Sequence, residues 1–111
     1  MYAPYNKPLK AVMVWFHGGA FFSGSSDLKL YQGEFLAAFG DVVVVTVNYR
    51  LGAFGFFTTG SESSDTNDFY GNTGMYDQVK ALEWVNANIE SFGGDKDVRF
   101  GYLIIIYSND V

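Results

Sequence analysis

The apolar run from Ala11 to Phe16 ends in His17-Gly18-Gly19-Ala20-Phe21, and at this junction the residue types come closest to chemistry. Glycine carries no side chain, so backbone N–H groups in such a turn can face outward and approach a ligand closely. Donors of that kind, aimed at one point, stabilise negative charge developing on a carbonyl oxygen, which is how an oxyanion hole is built. His17 is the only histidine in the chain, and a neutral imidazole suits proton transfer near neutral pH. A plain glycine turn is the competing reading of the same residues.

The elements that must position this junction are set by the hydrophobic pattern. Residues 10–16 are apolar nearly throughout, as expected of a strand covered on both sheet faces. Phe21 to Asp27 is a Gly/Ser-rich loop in which Ser25, Ser26 and Asp27 are each able to cap the next helix. Leu28 to Phe39 reads as that helix, a short one closed by Gly40. The run from Val42 to Val47 is too β-branched for a comfortable helix and reads as a second buried strand. Two such strands joined through a helix predict a βαβ crossover and a mainly parallel sheet, an α/β fold. After the second strand, Asn48 to Phe56 sets glycines between aromatics and predicts a tight turn. Thr58 to Tyr70 is polar and acidic and reads as a solvated surface loop. Met75, Val79, Leu82, Val85 and Ile89 then recur at intervals of three and four, an apolar helical stripe extended by Phe92 and stopped at Gly93-Gly94-Asp95.

Composition narrows the classes. The chain has 111 residues, 49% of them hydrophobic and 17% charged, which fits one domain and places the chain among globular proteins, away from disordered ones. Aromatic residues reach 19%, and filling a core is the expected use of so many rings. A formal net charge of -5 argues against a nucleic-acid partner. No apolar stretch approaches the length of a membrane span, and Met1-Tyr2-Ala3-Pro4 carries no signal pattern. Cysteine is absent, and neither a cofactor nor a metal is expected.

Three blocks carry a resemblance to a known family. Val14-Trp15-Phe16-His17-Gly18-Gly19-Ala20-Phe21, with Ser23-Gly24, is the first. Asn48-Tyr49-Arg50-Leu51-Gly52, with Gly55-Phe56, is the second. The third runs from Gly71-Asn72 through Gly74-Met75, Asp77-Gln78, Ala81-Leu82, Trp84-Val85 and Asn88-Ile89 to Phe92-Gly93-Gly94-Asp95. In order and spacing they resemble the type-B carboxylesterases and cholinesterases, α/β-hydrolases with a glycine-rich oxyanion loop after an early strand. The resemblance runs from about Tyr2 to Asp95, and Leu30-Tyr31, Gly33 and Phe35-Leu36 lean toward its cholinesterase branch.

The resemblance implies a partial α/β-hydrolase fold over residues 1–111, with Gly19 and Ala20 as two backbone donors of the oxyanion hole. It also implies a buried salt bridge between Arg50 and Asp77 that joins the post-strand loop to the helix. His17 falls on the wrong side for the family's general base, because the triad runs serine, acid, histidine along the chain, and orienting the loop through a hydrogen bond is its expected role. The implied substrate is a small-molecule ester, and the implied setting is secreted or cell-surface.

The chain departs from the family after Gly101. No G-x-S-x-G nucleophile elbow appears, Ser108 lacks flanking glycines, and residues 102–111 form a divergent tail whose Leu103 to Tyr107 could add a third strand. The expected reading is a partial product of a serine carboxylic-ester hydrolase that contributes the oxyanion loop and is inactive alone. The alternatives are a non-catalytic, neuroligin-like adhesion or partner-binding protein, and a solitary segment that perturbs a full-length relative.

Overall fold

A computed structural model of the chain describes residues 8–59, 71–99 and 103–104. Strand β1 (Lys10–Phe16) lies at the centre of a parallel sheet, with β2 (Val43–Val47) on one side and β3 (Gly94–Arg99) on the other. Strand β4 (Leu103–Ile104) also pairs with β1, opposite Trp15 and Phe16. Register between β1 and β2 runs without a break from Val12 opposite Val43 to Phe16 opposite Val47.

Between the strands come a 3-10 turn (Lys29–Tyr31) and three helices, α1 (Glu34–Gly40), α2 (Gly52–Phe56) and α3 (Thr73–Asn88), the last running into a 3-10 turn at Ile89–Phe92. The core forms where α3 crosses the sheet. Side chains alternate faces along a strand, so Val12, Val14 and Phe16 share one face and pack with Val85 and Ile89 of the helical segment. Val43, Val45, Val47, Tyr49, Ala81 and Leu82 close the margin of this cluster.

The other face of β1 is only half-covered: Met13 and Trp15 are partly exposed, and the Tyr31 ring, 5.3 Å from that of Trp15, is its main aromatic cover. Coverage on both faces is thus not what the structure shows. The aromatic content is not mainly core either. Phe22, Phe39 and Phe54 are each more than 80% exposed, and among the described aromatic residues only Phe16 is fully buried.

The helix expected over 28–39 is split. Leu28 is extended, the turn at Lys29–Tyr31 delivers the Tyr31 ring to Trp15, and Gly33 lies against Val44 so closely that a Cβ there would meet the valine Cβ at 2.7 Å. Gly40 is the last helical residue, not the cap. Asp41 takes the left-handed cap position and pairs with Lys10 at 2.5 Å.

The turn expected over 48–56 contains helix α2. The α3 stripe is covered only in its C-terminal half: Met75 is 39% and Val79 50% exposed, while Gly74 and Gln78 are the buried residues of the first turns. Phe92 does not extend the core stripe; it is 63% exposed and rests on Trp84. Gly93 caps the helical segment in the left-handed conformation, as expected. Gly94 already begins β3, so a strand follows the helical stop directly, and the tail's Leu103–Ile104 adds a further short strand against β1. The acidic loop over 60–70 and the tail residues 105–111, Ser108 among them, lie outside the described residues.

Candidate active site

The loop after β1 leaves the sheet through three consecutive residues with positive φ: Gly19 at 133°, Ala20 at 51° and Phe21 at 61°. Left-handed backbone costs about 1–2 kcal/mol for a residue with a Cβ, so neighbouring contacts must hold Ala20 and Phe21 in place. At Gly19 the requirement is steric as well as torsional, because a Cβ would run into the Ser23 carbonyl oxygen.

The contacts come mainly from the segment after β2. The Tyr49 hydroxyl donates to the His17 carbonyl at 2.8 Å, the Gly52 N–H donates to the Phe21 carbonyl at 2.7 Å, and the Ser26 N–H donates to Asn48 Oδ1 at 2.8 Å. The Phe21 and Phe56 rings pack at 5.0 Å. Within the loop, the Gly19 carbonyl accepts from the N–H groups of Phe22 and Ser23 at 2.9 and 3.1 Å.

The N–H groups of Gly19 and Ala20 donate to no protein acceptor among the described residues. Ala20 is exposed and Gly19 half-exposed, so both lie where a ligand can reach them.

His17 is 2% exposed and stacks on Tyr49, with ring centroids 4.8 Å apart and planes 21° from parallel. Its Nδ1 lies 2.9 Å from the Gly18 carbonyl oxygen. A carbonyl only accepts, so this bond puts the proton on Nδ1 and leaves Nε2 a bare acceptor. Nε2 is buried without a partner among the described residues. Gly24 walls the ring from the other side: a Cβ there would stand 2.5 Å from Nδ1 and 2.6 Å from the Gly18 oxygen.

Arg50 and Asp77 do meet, with Nε donating to Oδ2 and Nη2 to Oδ1, both at 2.7 Å. The pair is not buried, however: the arginine side chain is 54% exposed and the aspartate 26%. It closes over the surface of the junction between the post-strand segment and α3, while Gly74 forms the buried part of that contact against Arg50 and Phe56. Tyr31 and Gly33 line a separate cleft of about 570 Å³ with Asp27, Glu34 and Thr46.

Tyr49 and Gly24 pack against His17 at the candidate site, and although the motifs contained both, sequence reasoning did not single them out. Tyr49 stands in the second block as a hydroxyl-bearing ring two residues beyond the end of β2. Gly24 ends the first block five residues beyond Gly19. Among the described residues no helix is long and apolar enough to cross a membrane.

Comparison with known proteins identifies the family. An acetylcholinesterase of Trittame loki is 58% identical over 81% of this chain and 15% of its own length. The para-nitrobenzyl esterase of Bacillus subtilis is 54% identical over 78% of this chain and 17% of its own. Among solved structures, a Geobacillus stearothermophilus carboxylesterase superposes with a TM-score of 0.76 at 46% identity, covering 85% of this chain and 20% of that one. The chain thus spans under a quarter of the length of these proteins, and the sheet and helices described above are a partial α/β-hydrolase fold that matches esterase structures. Residues 1–98 match the carboxylesterase family as a whole, and to that family, with its cholinesterase-like members, this chain belongs.

Proposed function

We propose that this chain supplies the oxyanion-hole loop of a carboxylic-ester hydrolase, with the Gly19 and Ala20 N–H groups as the donors. The observation that carries the reading is the pair of adjacent N–H groups on exposed and half-exposed residues, without a protein acceptor among the described residues, beyond the C-terminal end of the central strand. Successive N–H groups in left-handed turns form anion-binding concavities. An ester carbonyl oxygen gains negative charge as its carbon becomes tetrahedral, and fixed donors at that point lower the barrier. In this reading residues 1–111 are part of one carboxylesterase domain with a divergent tail, and the chain alone hydrolyses no ester: no G-x-S-x-G is present, and His17 is enclosed. Full-length relatives would act on small-molecule esters through an acyl-serine intermediate.

The test is an exchange. The matched segment of the Bacillus subtilis para-nitrobenzyl esterase is replaced by the corresponding residues of this chain, and hydrolysis of a para-nitrobenzyl ester is measured. Hydrolysis is expected to persist in the exchanged enzyme. Gly19→Ala, which pushes the loop off the Ser23 carbonyl, is expected to lower kcat by roughly 10²–10³. Gly40→Ala, where a Cβ meets nothing nearer than 3.6 Å, leaves kcat unchanged. A folded but inactive exchange protein would overturn the reading in favour of a non-catalytic, partner-binding role.

A further inference from the structure

We propose that Tyr49 and His17 are positioning residues that aim the Gly19 N–H group by holding the two carbonyls before it from behind, while the loop's own bonds hold the Ala20 plane. This inference rests on the oxyanion-loop reading and adds the residues that orient the first of its donors. A trans peptide is planar, and its C=O and N–H point in opposite directions. Whatever holds the carbonyl of one residue therefore aims the N–H of the next.

Three successive planes of the loop are held this way. The His17 carbonyl is bound by the Tyr49 hydroxyl at 2.8 Å, which sets the Gly18 N–H. The Gly18 carbonyl is bound by His17 Nδ1 at 2.9 Å, which sets the Gly19 N–H. The Gly19 carbonyl accepts from Phe22 and Ser23, which sets the Ala20 N–H.

Tyr49 governs the first plane directly and the second through His17. Its ring stacks on the imidazole while its hydroxyl holds the same residue's carbonyl, so main chain and side chain of His17 are fixed by one tyrosine. Gly24 leaves the imidazole no room to swing away. Burial raises the Tyr49 pKa, so its hydroxyl keeps its proton, and its role as donor, into alkaline solution. The single histidine of the chain is thus a structural lever on the Gly19 donor and takes no proton from substrate.

Two measurements test this. In the full chain, ¹⁵N spectroscopy of the imidazole is expected to find the neutral ring protonated at Nδ1 and bare at Nε2; the opposite tautomer overturns the proposal. In the exchanged esterase, Tyr49→Phe keeps the ring stack and removes the hydroxyl. It is expected to lower kcat about tenfold at unchanged KM, and to weaken binding of a trifluoromethyl ketone, which mimics the tetrahedral adduct, by the same factor. A purely structural tyrosine would shift the thermal midpoint and leave both values alone, and that result also overturns the proposal. The tautomer is read without turnover, so an Nδ1–H ring beside an inactive exchange protein rejects the esterase reading only. An Nε2–H ring beside an active one rejects the positioning role only.

Discussion

Asp77 Oδ2 receives both the backbone N–H and the side-chain Nε of Arg50, so one carboxylate oxygen clamps the main chain and the side chain of the same residue. An exposed ion pair contributes little through charge alone. Here the forked geometry and the third bond make Asp77 a splint between the end of β2 and α3.

That splint has an acid limit. The hydrogen bond from the Arg50 side chain is the main cause holding the Asp77 carboxyl below its ordinary value of 3.8, with the Arg50 backbone N–H and charge adding to it and partial burial opposing. A folded value below the unfolded one means that the stabilisation is fully present above the unfolded pKa and is lost as pH falls through the folded value. Asp77→Asn is therefore expected to lower the unfolding midpoint by several degrees at neutral pH, and the gap to the natural chain is expected to close in strong acid. Denaturation measured at both pH values checks this; a gap that does not change with pH would show that the charge plays no part.

Tyr49 sets an alkaline limit by the opposite sign. Burial raises its phenol above the ordinary value of 10.0, so the folded chain holds that proton more tightly than the unfolded one. Stability is unaffected below the unfolded pKa and declines as pH rises through the folded value. Ultraviolet titration is expected to show one phenol ionising late, at the pH where unfolding begins, and Tyr49→Phe is expected to remove that phase. The same variant loses one hydrogen bond, worth about 1 kcal/mol at neutral pH.

Local pattern and tertiary placement were not equally legible in the sequence. The bounds of β1, the parallel pairing with β2 and the body of α3 can be read from apolar runs and periodicity, because burial against neighbours imposes those patterns directly. The break between Leu28 and Glu34 cannot, since it is made by Tyr31 reaching Trp15 and by Gly33 yielding to Val44, contacts that no local spacing encodes. Arg50 and Asp77 were legible as partners, but not their exposure, which depends on what covers the junction. The hold of Tyr49 on His17 joins residues 32 positions apart and becomes visible only when β2 is laid beside β1.

Gly74 reverses an ordinary rule. In a helix interior, replacing glycine by alanine gains about 1 kcal/mol. At this position the added Cβ would run into the Arg50 carbonyl oxygen and stand 2.7 Å from Cζ of Phe56. Overpacking of this kind costs about 1–3 kcal/mol, so Gly74→Ala is expected to destabilise by a net of up to about 2 kcal/mol. Ala87→Gly, on the exposed side of the same helix, is expected to cost about 1 kcal/mol by the ordinary rule. Both changes should therefore lower the urea midpoint, and a rise for Gly74→Ala would mean that α3 is free to move away from the Arg50 turn.

The same packing that buries Phe16 leaves α1 and its approach uncovered. Leu30 is 86% and Phe39 87% exposed, and Phe35 stacks flat on Phe39 on the outer side of the helix. Among the described residues β2 pairs only with β1, so its far edge is open beside this patch. Large contiguous apolar surface next to an unpaired strand edge drives association. The isolated chain is expected to self-associate with rising concentration in light scattering or sedimentation. Phe35→Glu combined with Phe39→Lys puts an acid and a base four residues apart in the favourable order on α1. These side chains are already in water, so folding stability is expected to change by no more than about 0.5 kcal/mol. The monomer should nevertheless predominate over a wider concentration range. Unaltered association in the double variant would move the contact away from α1 and onto the open edge of β2, where Thr46→Lys becomes the deciding substitution.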